Sequence, residues 1–441
     1  MKRSLFCLVA ATALTASTFA QAADPKDLKA ILKEVREMQH SYEKRIQSLE
    51  AQINTLSKNQ VKAKAKKAPA SSGTKVKGNA FNPSISAVVV GTATSFSRAA
   101  SELAGFGIGE EGERGSEGLS LGETELNISS NIDDKFYGSV TAAIVREDGS
   151  DLIELEEAYF QTLPGAGLPD GAQLKAGRAF WKLGYLNEHH QHADDFADRP
   201  LTHRVFLNKS FNDDGAEFSY VLPTDTFVEV GGGVFRGDDF PFGGSVSGLG
   251  GWSAFGRIGG DIGDNSSWRI GAYGVHGDVN ARASNEDAIT FAGHSDLYVA
   301  DLRYTYAPTG NASEKELILQ AEYFHRVEDG TYNVGNGLVS FDDDASGWYA
   351  QAVYKFAPAW RVGARYSRMH APDVPTGLVG SALDSAGHDP DAVAIMSDWT
   401  NSEYGRVRLQ YNREELANNQ SDNQFLFQYI MSIGAHGAHA Y

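Results

Sequence analysis

The sequence predicts an all-β transmembrane barrel of about 16 antiparallel strands, preceded by an α-helical coiled-coil arm. Three observations carry this. From Phe81 onward, polar and apolar residues alternate with a period of two. Short and long connections alternate between these segments. After the first 22 residues no apolar run approaches the roughly 18 that a membrane-spanning helix needs. Composition agrees: hydrophobic content is only 41% although the chain holds 47 glycines, 23 Phe, 18 Tyr and 6 Trp. A barrel with a wet lumen and an apolar outside averages to such a value.

Residues 1–22 read as a signal peptide. Lys2 and Arg3 make a basic start, Leu5 to Phe19 is apolar or small, and Ala20-Gln21-Ala22 is a small-x-small cleavage pattern. Cys7 is the single cysteine, so a processed chain has no thiol for a disulfide, a metal or a nucleophile.

Residues 24–60 form the predicted coiled coil. Leu32, Gln39, Ile46 and Ile53 occupy a positions, and Leu28, Val35, Tyr42, Leu49 and Leu56 occupy d positions. Asp24-Pro25 supplies the helix start. The narrow apolar seam favours an oligomer over a lone amphipathic helix. Residues 61–79 are a basic, flexible linker, with Lys62, Lys64, Lys66, Lys67, Lys75 and Lys77 around Pro-Ala-Ser-Ser-Gly. It reads as a spacer, with contact to anionic peptidoglycan as the sharper alternative.

Residues 80–441 are the predicted barrel, with strands near 84–97, 118–132, 135–147, 152–163, 173–184, 213–223, 226–237, 252–263, 267–278, 295–308, 314–327, 346–357, 360–370, 391–399, 404–413 and 423–441. Arg406, Arg408 and Gln410 alternate with Val407, Leu409 and Tyr411; Glu123, Glu125 and Asn127 alternate with Thr124, Leu126 and Ile128. In a sandwich the apolar face would meet a second sheet. In a membrane barrel it meets lipid, and the charged face lines the lumen. Tight turns at 133–134, 223–225, 264–266, 357–359 and 401–403 lie between long connections at 98–117, 185–212, 238–251, 279–294, 328–345 and 371–390. That asymmetry belongs to outer-membrane barrels.

Charge separates the parts. The signal carries +2 and residues 24–78 carry +7, so a whole-chain charge of −18 leaves residues 79–441 at −27. Such a body disfavours nucleic acid as a partner and favours cations near its mouths. The predicted pore-lining residues are Glu123, Glu125, Glu157, Arg303, Glu316, Glu322, Arg361, Arg365, Arg406 and Arg408. Basic and acidic ladders on opposed strands would set a transverse field across the lumen.

Histidines give a second candidate site. The run Glu188-His-His-Gln-His192 continues through Asp194 and Asp195 to His203, in the third external connection. Imidazole with carboxylate suits zinc and needs no cysteine. The expected ligands are His189, His190, His192, Asp194, Asp195 and His203, and a solvated tract is the plain alternative. His276, His294, His325, His370 and His388 map to external strand ends or loops, and His436 and His439 to the periplasmic end.

Several runs carry a family resemblance. Gly122-Glu-Thr-Glu-Leu-Asn127, Ile132-Asp-Asp-Lys-Phe-Tyr-Gly138, Glu156-Glu-Ala-Tyr-Phe-Gln161 and Leu174-Lys-Ala-Gly-Arg178 resemble the sixteen-stranded porin superfamily of Gram-negative bacteria, near its phosphate-selective type. A closer resemblance is to the outer-membrane family labelled zinc-regulated TonB-dependent receptors. It rests on Phe81-Asn-Pro-Ser-Ile-Ser86, Asn187-Glu-His-His-Gln-His192, Asp198-Arg-Pro-Leu201 and Gly434-Ala-His-Gly-Ala-His439. The resemblance implies an outer-membrane location with lipid and lipopolysaccharide around the wall, the arm in the periplasm, and a homo-oligomer, a trimer by the habit of such barrels. It also implies a link to zinc. A TonB-dependent transporter has 22 strands and a plugged lumen, whereas the arm here is a heptad helix and a Lys-rich linker.

The function expected is a porin-like channel for small polar solutes, with zinc as a transported or loop-bound ion and no cofactor required. The alternative is a non-conducting envelope tether or adhesin held by its barrel. No nucleophile is marked and no phosphate loop opens a helix, so an enzyme is not expected.

Overall fold

The computed structural model describes residues 83–434 apart from 100–101, 148–149, 245–247, 287, 336 and 403. The signal at 1–22, the coiled coil at 24–60 and the linker at 61–79 lie outside the described residues, as do His436 and His439.

The strands are β1 (Ser84–Phe96), β2 (Gly118–Leu121), β3 (Thr124–Asn131), β4 (Phe136–Glu147), β5 (Ser150–Thr162), β6 (Ala172–Phe180), β7 (Asn212–Val221), β8 (Phe227–Phe235), β9 (Gly251–Ile262), β10 (Ser266–Ser284), β11 (Ile289–Tyr306), β12 (Glu316–Asn333), β13 (Leu338–Ala357), β14 (Trp360–His370), β15 (Asp391–Ser402), β16 (Gly405–Ala417) and β17 (Gln420–Gly434). From β3 onward each pairs antiparallel with its sequence neighbours. β17 pairs with β1, which closes the sheet. β2 and β3 both pair with β1 and share one place in the wall. The chain is therefore a closed 16-stranded antiparallel barrel. Closure leaves no strand edge to satisfy, which is why such a sheet tolerates lipid.

The second wall position is interrupted at Gly122-Glu123 rather than continuous over 118–132, although the Gly122 N–H still donates to the Val90 carbonyl at 2.7 Å. A larger difference concerns β10 to β13. The expected loops 279–294 and 328–345 are mostly strand, with only 285–288 and 334–337 of them left as connections. Their outward faces carry Asn280, His294 and Asp344, which in sequence look like loop residues. The expected strand 173–184 ends at Phe180.

The outward faces are apolar over the middle of the wall: Leu126, Ile128, Ile270, Leu302, Leu319, Val362, Ile395 and Leu409 are all exposed. Outward aromatic residues such as Trp252, Tyr298 and Tyr323 follow towards the external end. This is the pattern of a wall that faces lipid. Among the described residues no helix is long and apolar enough to cross a membrane.

The main core lies inside the barrel. Leu103 and Phe106 from the 97–117 connection, Phe242 from 236–250, and Leu378 and Leu383 from 371–390 pack with inner-face Phe291, Phe324, Tyr332 and Phe341. The six-residue helix α1 (Leu201–Phe206), wholly buried, sits among them. Phe206 stacks on Phe324 with ring centroids 5.9 Å apart and meets Phe106 edge-on at 6.4 Å. The inner wall is thus not charged along its whole height. Its external half combines an apolar core for the inward-folded connections with a few buried charges, such as Arg282 and Arg326 on Glu328.

Candidate lumen site

Residues 181–211 join β6 to β7. Their side chains and carbonyls touch β3, β5, β9, β12, β14 and β16, which stand on all sides of the closed sheet. A segment can meet all of these walls only from within. The third connection, expected as an external loop, therefore crosses the lumen.

Its neck is fixed by Asn187. The Asn187 amide donates to the Trp181 and Phe211 carbonyls at 2.7 and 3.0 Å, and its carbonyl oxygen accepts from the Phe211 N–H at 2.6 Å. The backbone N–H groups of Tyr185 and Leu186 donate to Glu322 at 2.7 and 3.0 Å. Gly184 has φ +79°, and a Cβ there would lie 2.9 Å from a Glu322 carboxylate oxygen. Glycine is required on both counts.

Beyond the neck the segment presents opposite charges to opposite walls. Asp195 accepts from Arg361 at 2.7 Å, and Arg361 also donates to Asp398 at 2.5 Å. Asp198 accepts from Arg365 at 2.8 Å and from Asn412 at 3.0 Å. Arg408 donates to the Asp194 carbonyl at 2.7 Å. On the other side His192 Nδ1 lies 2.6 Å from Glu125, and His190 Nε2 lies 3.0 Å from Glu157. Glu188 pairs with Arg257. Arg303 and Arg269 lie over the Tyr185 ring at 4.2 and 4.9 Å, and Arg303 also donates to Gln320 at 2.8 Å. Arg204 of α1 donates to Glu414 at 2.7 Å.

Ionisation follows these contacts. Burial opposes a charge on Asp195, but the guanidinium groups of Arg361, Arg303, Arg408 and Arg406 together outweigh it and hold the carboxyl below its ordinary range. Burial pushes Asp194 up to about 7, against the pull of Arg199. Burial, helped by Arg199 and Arg365, holds His203 well below its usual value. Burial also disfavours the charged form of His190, yet Glu125, Glu156 and Glu157 together raise it well above the ordinary imidazole value.

Of the residues expected to line the pore, Glu125, Glu157, Arg303, Glu322, Arg361, Arg365 and Arg408 contact the inward segment directly. Glu123 adjoins Glu125 and Glu156 at the interruption between β2 and β3. Glu316 lies opposite Lys355 at the start of β12. Arg406 lies next but one to Arg408 along β16.

The expected zinc ligands do not gather as one group. His190 and His192 come together with Glu125. His189 is turned away, donating from Nδ1 to the Tyr185 carbonyl at 3.0 Å. Asp194 pairs with Arg199 at 2.7 Å, Asp195 with Arg361, and His203 lies 3.4 Å from Glu322. Three of the other histidines face outward at the external end of neighbouring strands, beside aspartates: His276 with Asp296, His294 with Asp278 and His325 with Asp344. His370 pairs with Asp389 in the same region.

Sequence reasoning missed Asp398, Arg257 and Arg282. Asp398 and Arg257 fall on the inward-facing parity of their strands, so applying the period-two rule to every strand would have found them. Arg282 is turned inward by a register shift at Asn280/Arg282, which strict alternation does not show. It also missed Glu156. The register shifts at Thr141/Ala142, so that Glu157 pairs with Thr141, Leu155 pairs with Ala142, and Glu156 is the extra residue of a β-bulge. A bulge turns two successive side chains towards one side, and this one sets Glu156 beside Glu157.

No family model matches the chain. An uncharacterized protein of Aquifex aeolicus is 28% identical over 359 residues, covering 76% of this chain and 73% of that protein. Among solved structures, the outer membrane channel DcaP of Acinetobacter baumannii is similar with a TM-score of 0.50 and 14% identity, over 80% of this chain and 97% of that one. OmpF of Salmonella typhi, in complex with daunomycin, is similar with a TM-score of 0.50 and 11% identity, also over 80% and 97%. At such identities the likeness is one of fold. Neither structure carries the phosphate-selective or TonB-dependent label that the sequence resemblance suggested.

Proposed function

We propose that the chain is a passive outer-membrane channel for small polar solutes, narrowed by residues 181–211. The observation that supports this most is the opposition of charges at one level of a closed barrel. Arg361, Arg365 and Arg408 stand on one side of the inward segment, and Glu125 and Glu157 on the other. A solute passing between them meets a transverse field that favours polar molecules over apolar ones. The aspartates of the segment already answer the arginines, so the acidic excess of the chain leaves cations as the preferred ions. Divalent metal ions such as zinc belong among these solutes on the chemistry of the imidazoles and carboxylates in reach. The barrel works as a homo-oligomer, in our reading a trimer, with lipopolysaccharide around its external rim.

The apolar core in the external half favours a second reading, in which the barrel is closed and serves as an envelope tether or adhesin. Purified protein in planar lipid bilayers separates the two. The channel reading expects stepwise conductance without an energy source and a reversal potential on the cation side. Silent bilayers at high protein load would leave the tether.

A further inference from the structure

The wall at β3 to β5 gathers more buried carboxyl groups than it has cations beside them. Glu125, Glu156 and Glu157 face the imidazoles of His190 and His192, and Glu123 adjoins Glu125 and Glu156. Lys175 reaches Glu157 only at 4.0 Å, with its ammonium 4.1 Å from the centre of the Tyr159 ring. These carboxylates outnumber the cations beside them even with both imidazoles protonated. Burying uncompensated charge is unfavourable.

A second observation points to a ligand. The side chains of Glu125 and His190 are 2% and 10% exposed, and Glu125 Oε2 and His190 Nδ1 stand 3.2 Å apart, yet neither atom has a properly directed hydrogen bond. Glu156 Oε2, 3.5 Å from the same nitrogen, is in the same condition. Local structure explains the convergence. Strand alternation turns Glu125 inward, the bulge adds Glu156 beside Glu157, and a short turn at Gln191–Ala193 keeps the rings of His190 and His192 within 5.6 Å.

We propose that Glu125, His190 and His192 bind one divalent transition-metal cation of the zinc type, which ties the inward segment to the barrel wall. One ligand atom from each residue already lies within 4.8 Å of the others. Around a tetrahedral ion with bonds of about 2.1 Å they would stand about 3.4 Å apart, a shift within the reach of side-chain rotation. Mixed imidazole and carboxylate donors select zinc or cobalt over magnesium or calcium. Glu156 is placed to complete the set. The site lies inside the barrel and does not require the barrel to conduct.

The test uses the full chain in detergent, freed of metal with a chelator and titrated with Co2+ while visible absorption is followed. One saturable Co2+ with tetrahedral absorption, displaced by Zn2+, is expected. Glu125→Gln, and His190→Ala with His192→Ala, should each weaken it at least tenfold. His276→Ala with His294→Ala, at the outward rim, should leave it unchanged. Mobility on unheated gels reports folding, and the near-isosteric Glu125→Gln decides the matter if the double histidine variant does not fold. Absence of saturable binding, binding that survives Glu125→Gln, or binding lost with His276 and His294 would overturn the proposal.

Discussion

Asp195 accepts a hydrogen bond from Arg361 at 2.7 Å across 166 residues of sequence, and the same guanidinium donates to Asp398 on the neighbouring strand at 2.5 Å. One arginine of the wall is thus shared between the wall and the segment that crosses the lumen. Arg365 is likewise answered from the segment, donating to the Asp198 carboxylate and carbonyl. The arginines that would draw anions are already answered by fixed aspartates.

Removing that answer should change selectivity. Asp195→Asn together with Asp198→Asn leaves Arg361 and Arg365 facing the lumen with less compensation. The reversal potential in a salt gradient should move towards anions, and more so at low ionic strength, because screening shortens the reach of fixed charge. A potential unmoved by the double substitution would place the selective charges elsewhere along the lumen.

The neck of the inward segment gives a separate handle. Asn187→Ala removes two donated hydrogen bonds and strands the buried Phe211 N–H. A buried group left unsatisfied costs about 1–3 kcal/mol, borne by the segment and not by the strand ladder. Protease cleavage within 181–211 should accelerate, and channel currents should become larger or noisier. The heat-induced shift on gels, which reports the barrel, should stay.

The barrel was legible because its rule is local. Period-two alternation places Glu125, Glu322, Arg361, Arg365 and Arg408 on the faces where the structure has them, and turn residues mark most of the short connections. The direction of the third connection was not legible, since it depends on partners such as Glu125 and Arg361 that lie far from it in the chain. The length of β10 to β13 was hidden for another reason. Above the apolar band the outward face turns polar, as at Asn280, His294 and Asp344, and a strand that has lost its apolar outer face resembles a loop. The inner face still alternates there, through Val279, Phe291 and Tyr332, and that signal was available.

The outward face can be probed in the middle of a strand. Ile395 is 53% exposed near the centre of β15. Ile395→Arg would set a charge against hydrocarbon, which costs about 2–4 kcal/mol near the midplane of a bilayer. Urea unfolding in liposomes should show a loss of that order, whereas Leu338→Arg, at the external end of β13, should cost far less. Equal losses at both positions would mean that Ile395 faces something other than lipid.

The coiled coil expected from the sequence at 24–60 leads to a prediction about assembly. In the expected heptads the apolar seam is narrow, with Gln39 as the one polar residue in the a and d rows. Polar seam residues fix register and number at some cost in stability. Deleting residues 24–60 should therefore lower the temperature at which an oligomer separates on unheated gels, while each barrel keeps its folded mobility. Gln39→Leu should act the other way, strengthening association and broadening the distribution of oligomer sizes. Cross-linking followed by mass measurement reads both. An oligomer unchanged by the deletion would assign assembly to the barrel walls, where Leu119, Ile395, Leu409 and Phe425 stand exposed on the outer surface.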